Sequence, residues 1–384
     1  MKKTILTVLC VALTAGNLLF AQQSGDVHIY IGAADGTRDG NSQHIVVMGN
    51  HGEKYTYNGG KLHSLSAGRT GVFALVGSAT GVDGHTPGEY KLDWGACTLY
   101  QNQYVYKQYP YGDKSTGMIS SMCMKVDEQS IPTVVGVVSK TFNKYGYESF
   151  MFGDHGHAEL FRTQWERKSL KRDHFESKES RVWKVFDCAY YGGKIYATGW
   201  GERQYTKGVA PKKYYVRKCV RVWRNGETIL SPVDNETSRG EFIYVSGNAS
   251  NPDIATIGVH RSHAKGWMGE KSVFSSPKED EWDLDGAAVI KEANGNLKYY
   301  FVQAFKLYVQ NGDSVMPIEG LFGDMNKVCD IVALDGDLYV LVSNGSTNDM
   351  FRVYRLRGNQ STLMARFEEG YPLFFQQAKL AVWK

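Results

Sequence analysis

The chain has 384 residues, with 44 Lys and Arg against 40 Asp and Glu, a formal net charge of +4. So small a cationic excess argues against a general nucleic-acid binder, whose affinity comes from displacing counterions with many Lys and Arg. A chain this long ordinarily divides into two or three domains, unless repeats make it one unit.

The amino terminus reads as an export signal. Met1-Lys2-Lys3 precedes an apolar run from Thr4 to Phe20, which ends at Ala21 before polar Gln22-Gln23-Ser24-Gly25. This is the layout of a secretory signal peptide over residues 1–21, and it predicts a secreted, periplasmic or cell-surface protein. Thr14, Gly16 and Asn17 interrupt the run, which is short for a bilayer span, and Leu9 stands before Cys10 where a lipoprotein leader has a small residue. Losing Lys2 and Lys3 with the leader takes the net charge from +4 to +2. Residues 22–384 hold no long apolar stretch, so one soluble domain with no membrane span is expected. Its cysteines, Cys97, Cys123, Cys188, Cys219 and Cys329, show no CxxC spacing, and no zinc, redox or other cofactor motif is present. Each sits in an apolar strand-like segment, which suits a small buried residue.

An apolar, β-prone segment then recurs along the chain. It appears at 27–32 (VHIYIG), 72–77 (VFALVG), 133–138 (TVVGVV), 194–199 (KIYATG), 254–259 (IATIGV), 299–304 (YYFVQA) and 338–343 (LYVLVS). Spacings of roughly 40–60 residues fit the blades of a propeller, each contributing this segment as its second strand. Before it, two copies align without a gap: Lys184–Tyr196 and Lys327–Tyr339 share Lys-Val, an Asp, a Gly turn and an aliphatic–Tyr pair. A looser copy starts at Asp285-Gly286 and turns at Asn294-Gly295. After it comes a third strand closed by Asn-Gly, as in Arg221-Val222-Trp223-Arg224-Asn225-Gly226, with Leu307–Gly312 and Tyr55–Gly59 as further copies. Asn-Gly is the strongest short hairpin signal, because a type I′ turn needs positive φ at both central residues. The first copy starts at its second strand, with nothing before Asp26 to supply the first, whereas the chain finishes on Ala378–Trp383. That tail is expected to supply the missing innermost strand and so leave no open edge.

Together these residues predict an all-β fold over 22–384, a single β-propeller of about seven four-stranded blades, with six or eight as alternatives, closed by the C-terminal strand. The hairpin followed by an aromatic–x–Asn-Gly unit, as at Trp223-Arg224-Asn225-Gly226, resembles β-propeller repeats of secreted bacterial proteins. The resemblance covers 184–230 and 327–358 well and 285–313 in part. It implies a ring-shaped fold and no particular substrate, because propellers host enzymes, glycan binders and scaffolds alike.

Three sets of residues are candidates for function. Asp187, Asp285 and Asp330 recur at the head of the expected innermost strand, where a ring of carboxylates could serve acid–base chemistry or hold a cation. Recurrence at one repeat position favours a structural task instead, with the carboxylate bonding nearby backbone. His155 and His157, beside Asp154, have the ligand types for zinc, but an expected exposed turn leaves them solvated, and no metal is expected. No nucleophile elbow, phosphate loop or dinucleotide fingerprint is present.

The third set is basic and aromatic. In a four-stranded blade, the loop from second to third strand and the link between blades open on one face of the ring. The link Arg162–Lys184 carries Arg167, Lys168, Lys171 and Arg172, and the loop Trp200–Lys218 carries Lys207, Lys212, Lys213, Tyr214, Tyr215 and Arg217. A loop from Ser78 to Trp94 adds Tyr90 and Trp94. Cations interleaved with aromatic rings suit an acidic polysaccharide or a partner protein. Glu166, Asp173, Glu176, Glu179 and Glu202 offset part of that charge. The expectation is therefore a monomeric, exported binding module for a glycan or protein partner, with no nucleic acid. A glycosidase or lyase using channel-mouth acids is one alternative, and a structural scaffold is another.

Overall fold

The computed structural model describes residues 27–35, 44–58, 61–77, 85–86, 89–90, 97–109, 118–139, 147–153, 173–175, 178–180, 182–207, 213–232, 238–260, 262–279, 283–345, 350–368 and 378–384. The expected leader lies outside these residues. All regular structure among them is β, and no helix of the described residues is long and apolar enough to cross a membrane.

Seven antiparallel sheets follow one another, six of four strands and one of which three strands are described. From inner to outer strand, blade 1 is Lys379–Trp383, His28–Asp35, His44–Gly49 and Lys54–Asn58. Blade 2 is Lys61–Gly68, Gly71–Gly77, Cys97–Gln101 and Tyr104–Tyr109, and blade 3 is Met118–Val126, Pro132–Ser139 and Tyr147–Gly153. Blade 4 is Val182–Tyr191, Lys194–Lys207, Lys213–Arg224 and Glu227–Leu230, and blade 5 is Ser238–Asn248, Asn251–His260, His263–Met268 and Lys271–Ser275. Blade 6 is Gly286–Lys291, Leu297–Gln303, Lys306–Asn311 and Ser314–Pro317, and blade 7 is Lys327–Leu334, Asp337–Ser343, Met350–Arg357 and Gln360–Glu368. The inner strands neighbour one another in cyclic order, and the last returns to the first. The fold is a β-propeller.

Each of the seven recurring apolar segments is the second strand of a blade. Position explains composition: a second strand is covered on both faces by adjacent blades, so it reads as a continuous apolar run. Val72–Val76 and Leu338–Val342 are wholly buried. Seven apolar clusters fill the seven seams. One joins Phe73, Leu75 and Leu99 of blade 2 to Met122, Met124 and Val134 of blade 3. Another joins Ile29, Ile31 and Leu380 of blade 1 to Leu341, Phe351 and Val353 of blade 7.

The tail closes the ring as expected. His28 pairs with Trp383, Tyr30 with Ala381 and Gly32 with Lys379, in antiparallel register. Three tight turns also follow the sequence: Gly192-Gly193, Asn225-Gly226 and Asp335-Gly336 each have positive φ at both residues. Two turns differ. Asn311 pairs with Ser314, so the turn falls on Gly312-Asp313, one residue later than Asn-Gly suggests. Lys54–Asn58 is the fourth strand of blade 1 and not a third, because the chain has already turned near Gly52, where φ is +90°.

Leu380 is buried in the seam between blades 1 and 7. Leu380→Ala is expected to lower stability by about 2–5 kcal/mol in chemical denaturation, the usual cost of truncating a core leucine. An unchanged midpoint would mean that the tail does not close the ring.

Candidate functional site

The centre of the ring is built on a repeated slip in register. In blades 2, 3, 5 and 7 the inner strand carries one extra residue against the second strand, namely His63, Ser120, Glu241 and Cys329, and in blade 4 it carries two, Trp183 and then Phe186. Such a bulge re-aims neighbouring side chains. The residue after it is Ser64, Asp187 or Asp330 in blades 2, 4 and 7. Each accepts a backbone N–H from the next blade's inner strand. Met124 donates to Ser64 Oγ at 3.0 Å, Ile243 to Asp187 Oδ2 at 3.0 Å, and Leu380 to Asp330 Oδ2 at 2.9 Å. In blade 5 the bulge residue is itself the acceptor, and Leu284, two residues ahead of blade 6's inner strand, donates its N–H to Glu241 Oε2 at 2.7 Å.

Asp285 sits differently. It accepts Phe305 N at 3.1 Å inside its own blade, holding a turn in which Ala304 and Phe305 have φ of 52° and 58°. All three recurring aspartates therefore accept backbone hydrogen bonds. Close approach matters beside them: a Cβ on Gly286 would lie 2.6 Å from Asp330 Oδ1, and one on Gly240 would lie 2.1 Å from Thr198 Oγ1.

Cations line the same ring. Lys125 Nζ lies 3.6 Å from Asp187 Oδ2 and 4.7 Å from the centre of the Phe242 ring. Lys379 Nζ donates to Asp285 O at 3.3 Å and favours the charged forms of Asp330 and Glu241. Arg239 is ion-paired with Glu241 and Asp283, and its guanidinium stacks 5.6 Å from Phe186 and 5.2 Å from Trp200. Even so, burial pushes the carboxyls of Glu241 and Asp330 above their usual range, against the opposing pull of these cations and of backbone N–H donors. Repeat comparison finds Asp187 and Asp330 but misses Glu241, Lys125, Arg239 and Lys379, which do not recur.

The basic and aromatic set is placed in part. The segment read as a loop from Trp200 to Lys218 is a long two-stranded ribbon. Glu202 pairs with Lys218, Arg203 with Arg217, Gln204 with Val216, Tyr205 with Tyr215, Thr206 with Tyr214 and Lys207 with Lys213. Blade 4's inner strand stops pairing at Gly201, so these six pairs run on past it, for about 20 Å at a strand's rise per residue. The link between blades 3 and 4 holds a short hairpin, Asp173–Phe175 with Lys178–Ser180, that lies beside Lys194–Lys207. Tyr90 belongs to another short hairpin, opposite His85. Arg167, Lys168, Lys171, Arg172, Lys212, Trp94, His155 and His157 lie outside the described residues.

A pH dependence follows from the two buried acids. Their folded pKa values are raised, so the folded state holds protons that the unfolded chain releases at about pH 4. Their contribution therefore favours folding at low pH and declines as pH rises through the folded pKa. Asp330→Asn keeps an oxygen to accept Leu380 N–H, and is expected to flatten the fall in denaturation midpoint between about pH 4 and pH 7. A wild-type slope retained in Asp330→Asn would refute this assignment.

No protein-family model matches the chain, and no curated protein matches it. Among solved structures, the computationally designed Ika8 protein aligns with 8% identity and a TM-score of 0.40, over 82% of this chain and 88% of the other. A protein of Bacteroides fragilis NCTC 9343, named provisionally as a 6-phosphogluconolactonase, aligns with 8% identity and a TM-score of 0.44, over 93% of this chain and 99% of the other. The dihydro-heme d1 dehydrogenase NirN, in complex with DHE, aligns with 10% identity and a TM-score of 0.42, over 91% of this chain and 68% of the other.

Proposed function

We propose that the protein is an exported β-propeller binding module that takes a glycan or protein partner on its basic, aromatic loop face, with an acidic polysaccharide as the best-suited ligand. One observation carries the reading. The ribbon of blade 4 sets Arg203 opposite Arg217 and Lys207 opposite Lys213, with Tyr205 opposite Tyr215 between them. Like charges facing each other across a ladder destabilise it, and a bound polyanion turns that repulsion into attraction. Tyrosines between cationic rungs add the flat surface that interfaces favour. The leader-like residues 1–21 support export. The three aspartates that an enzyme would draw on at the channel mouth already accept backbone hydrogen bonds, which weighs toward binding.

A glycan array run at about 0.05 M and about 0.5 M salt tests this, since the Debye length shrinks severalfold over that range. Acidic glycans are expected to bind at low salt and wash off at high salt. The triple variant Lys207→Ala, Lys213→Ala, Arg217→Ala is expected to lose about tenfold in affinity, from three contacts of roughly 0.5 kcal/mol each, with its circular dichroism unchanged. Salt-insensitive binding by the folded protein would overturn the proposal.

A further inference from the structure

The geometry points to an inter-blade disulfide between Cys123 and Cys188, a covalent staple across the seam of blades 3 and 4. All five described cysteines are buried and unbridged, but they are not equivalent. Cys97 packs in the seam of blades 2 and 3, Cys329 in the seam of blades 7 and 1, and Cys219 against Gly201 O of its own blade at 3.5 Å. Only Cys123 and Cys188 share a seam, where both pack with Val135, Val185 and Trp223.

Their contacts bring the two sulfurs together. Cys123 lies on the inner strand of blade 3 opposite Val135, and its Sγ donates to Val135 O at 3.8 Å. Cys188 lies on the inner strand of blade 4, yet its Sγ reaches across the seam to Thr133 O at 3.6 Å, two residues along the same strand. Each thiol spends its one proton on a carbonyl of that strand, and the Cys123 sulfur feels Cys188 as a direct electrostatic neighbour. Rotation about the Cα–Cβ bonds has then to close that contact to the S–S length of about 2.05 Å. The step is balanced by a disulfide oxidant such as oxidised glutathione. One cysteine thiolate attacks the glutathione disulfide and expels a glutathione thiolate; the second attacks the mixed disulfide and expels the other. Both protons end on the two glutathione thiols formed, and the two electrons pass to them.

Burial governs when the bond forms. It pushes the Cys123 thiol well above its ordinary pKa, and it shuts both sulfurs of the folded seam away from glutathione. Closure therefore belongs to folding, before blades 3 and 4 dock. An export compartment is where such a bond persists.

The test refolds the full chain from denaturant with oxidised and reduced glutathione, traps free thiols with an alkylating agent, and maps the digest by mass spectrometry. The expected result is a Cys123–Cys188 cross-linked peptide, with Cys97, Cys219 and Cys329 alkylated. Bridged protein is also expected to unfold several degrees higher than the reduced form, a gain absent from Cys123→Ser. Full alkylation of both cysteines after oxidative refolding, or their pairing with other cysteines, would overturn the inference. The wild-type map decides the matter even if the variant fails to fold, and glycan binding does not enter into it.

Discussion

An inner strand of a propeller is an edge strand. One side of its backbone pairs with the second strand of its own blade, and the other faces the ring axis with N–H groups that still need acceptors. In this protein the neighbouring blade provides them. Ser64, Asp187 and Asp330 each reach across a seam to an inner-strand N–H of the following blade, and Glu241 holds the N–H of Leu284 in the link that leads into blade 6. Bulges make this possible by turning a side chain that a regular strand would aim elsewhere. Apolar seams supply the bulk of the cohesion, since no blade can bury both faces alone, while at four of the seven seams these directed bonds limit how far one blade can slide past the next.

Using carboxylates for the task brings charge into a crowded place. Lys125, Lys379 and Arg239 stand among the acids and hold much of the charge in balance, although Glu241 and Asp330 still pay for burial with raised pKa values. The centre of the ring is thus occupied with its own neutralisation. Lys and Arg are also abundant in the sequence of the blade 4 ribbon and of the link before it.

Much of the architecture is legible in the sequence because second strands are covered twice. A run such as Val72–Val76 announces itself without alternation, and so does Leu338–Val342. Outer strands are half exposed, which is why Lys54–Asn58 is easily taken for a third strand. A bulge is invisible in composition, because one extra residue changes pairing and not residue type. Glu241 stands one position earlier relative to its bulge than Asp187 or Asp330 to theirs, so repeat alignment passes over it. The ribbon is missed for another reason: Lys, Arg and Tyr between Glu202 and Lys218 carry no apolar alternation to announce a strand. Cys123 and Cys188 are brought together only by the stacking of blades.

The closing pair in blade 1 has a mechanical meaning. Val27 and Lys384 leave the sheet at the same end, because His28 lies opposite Trp383 and the strands run antiparallel. Tension applied between those two points loads the rungs one after another, from Trp383 inward to Lys379, rather than all at once. The clasp of the ring therefore resists as a zip and not as a rivet, weak to peeling from that corner while the same bonds, sheared along the strand, would share the load.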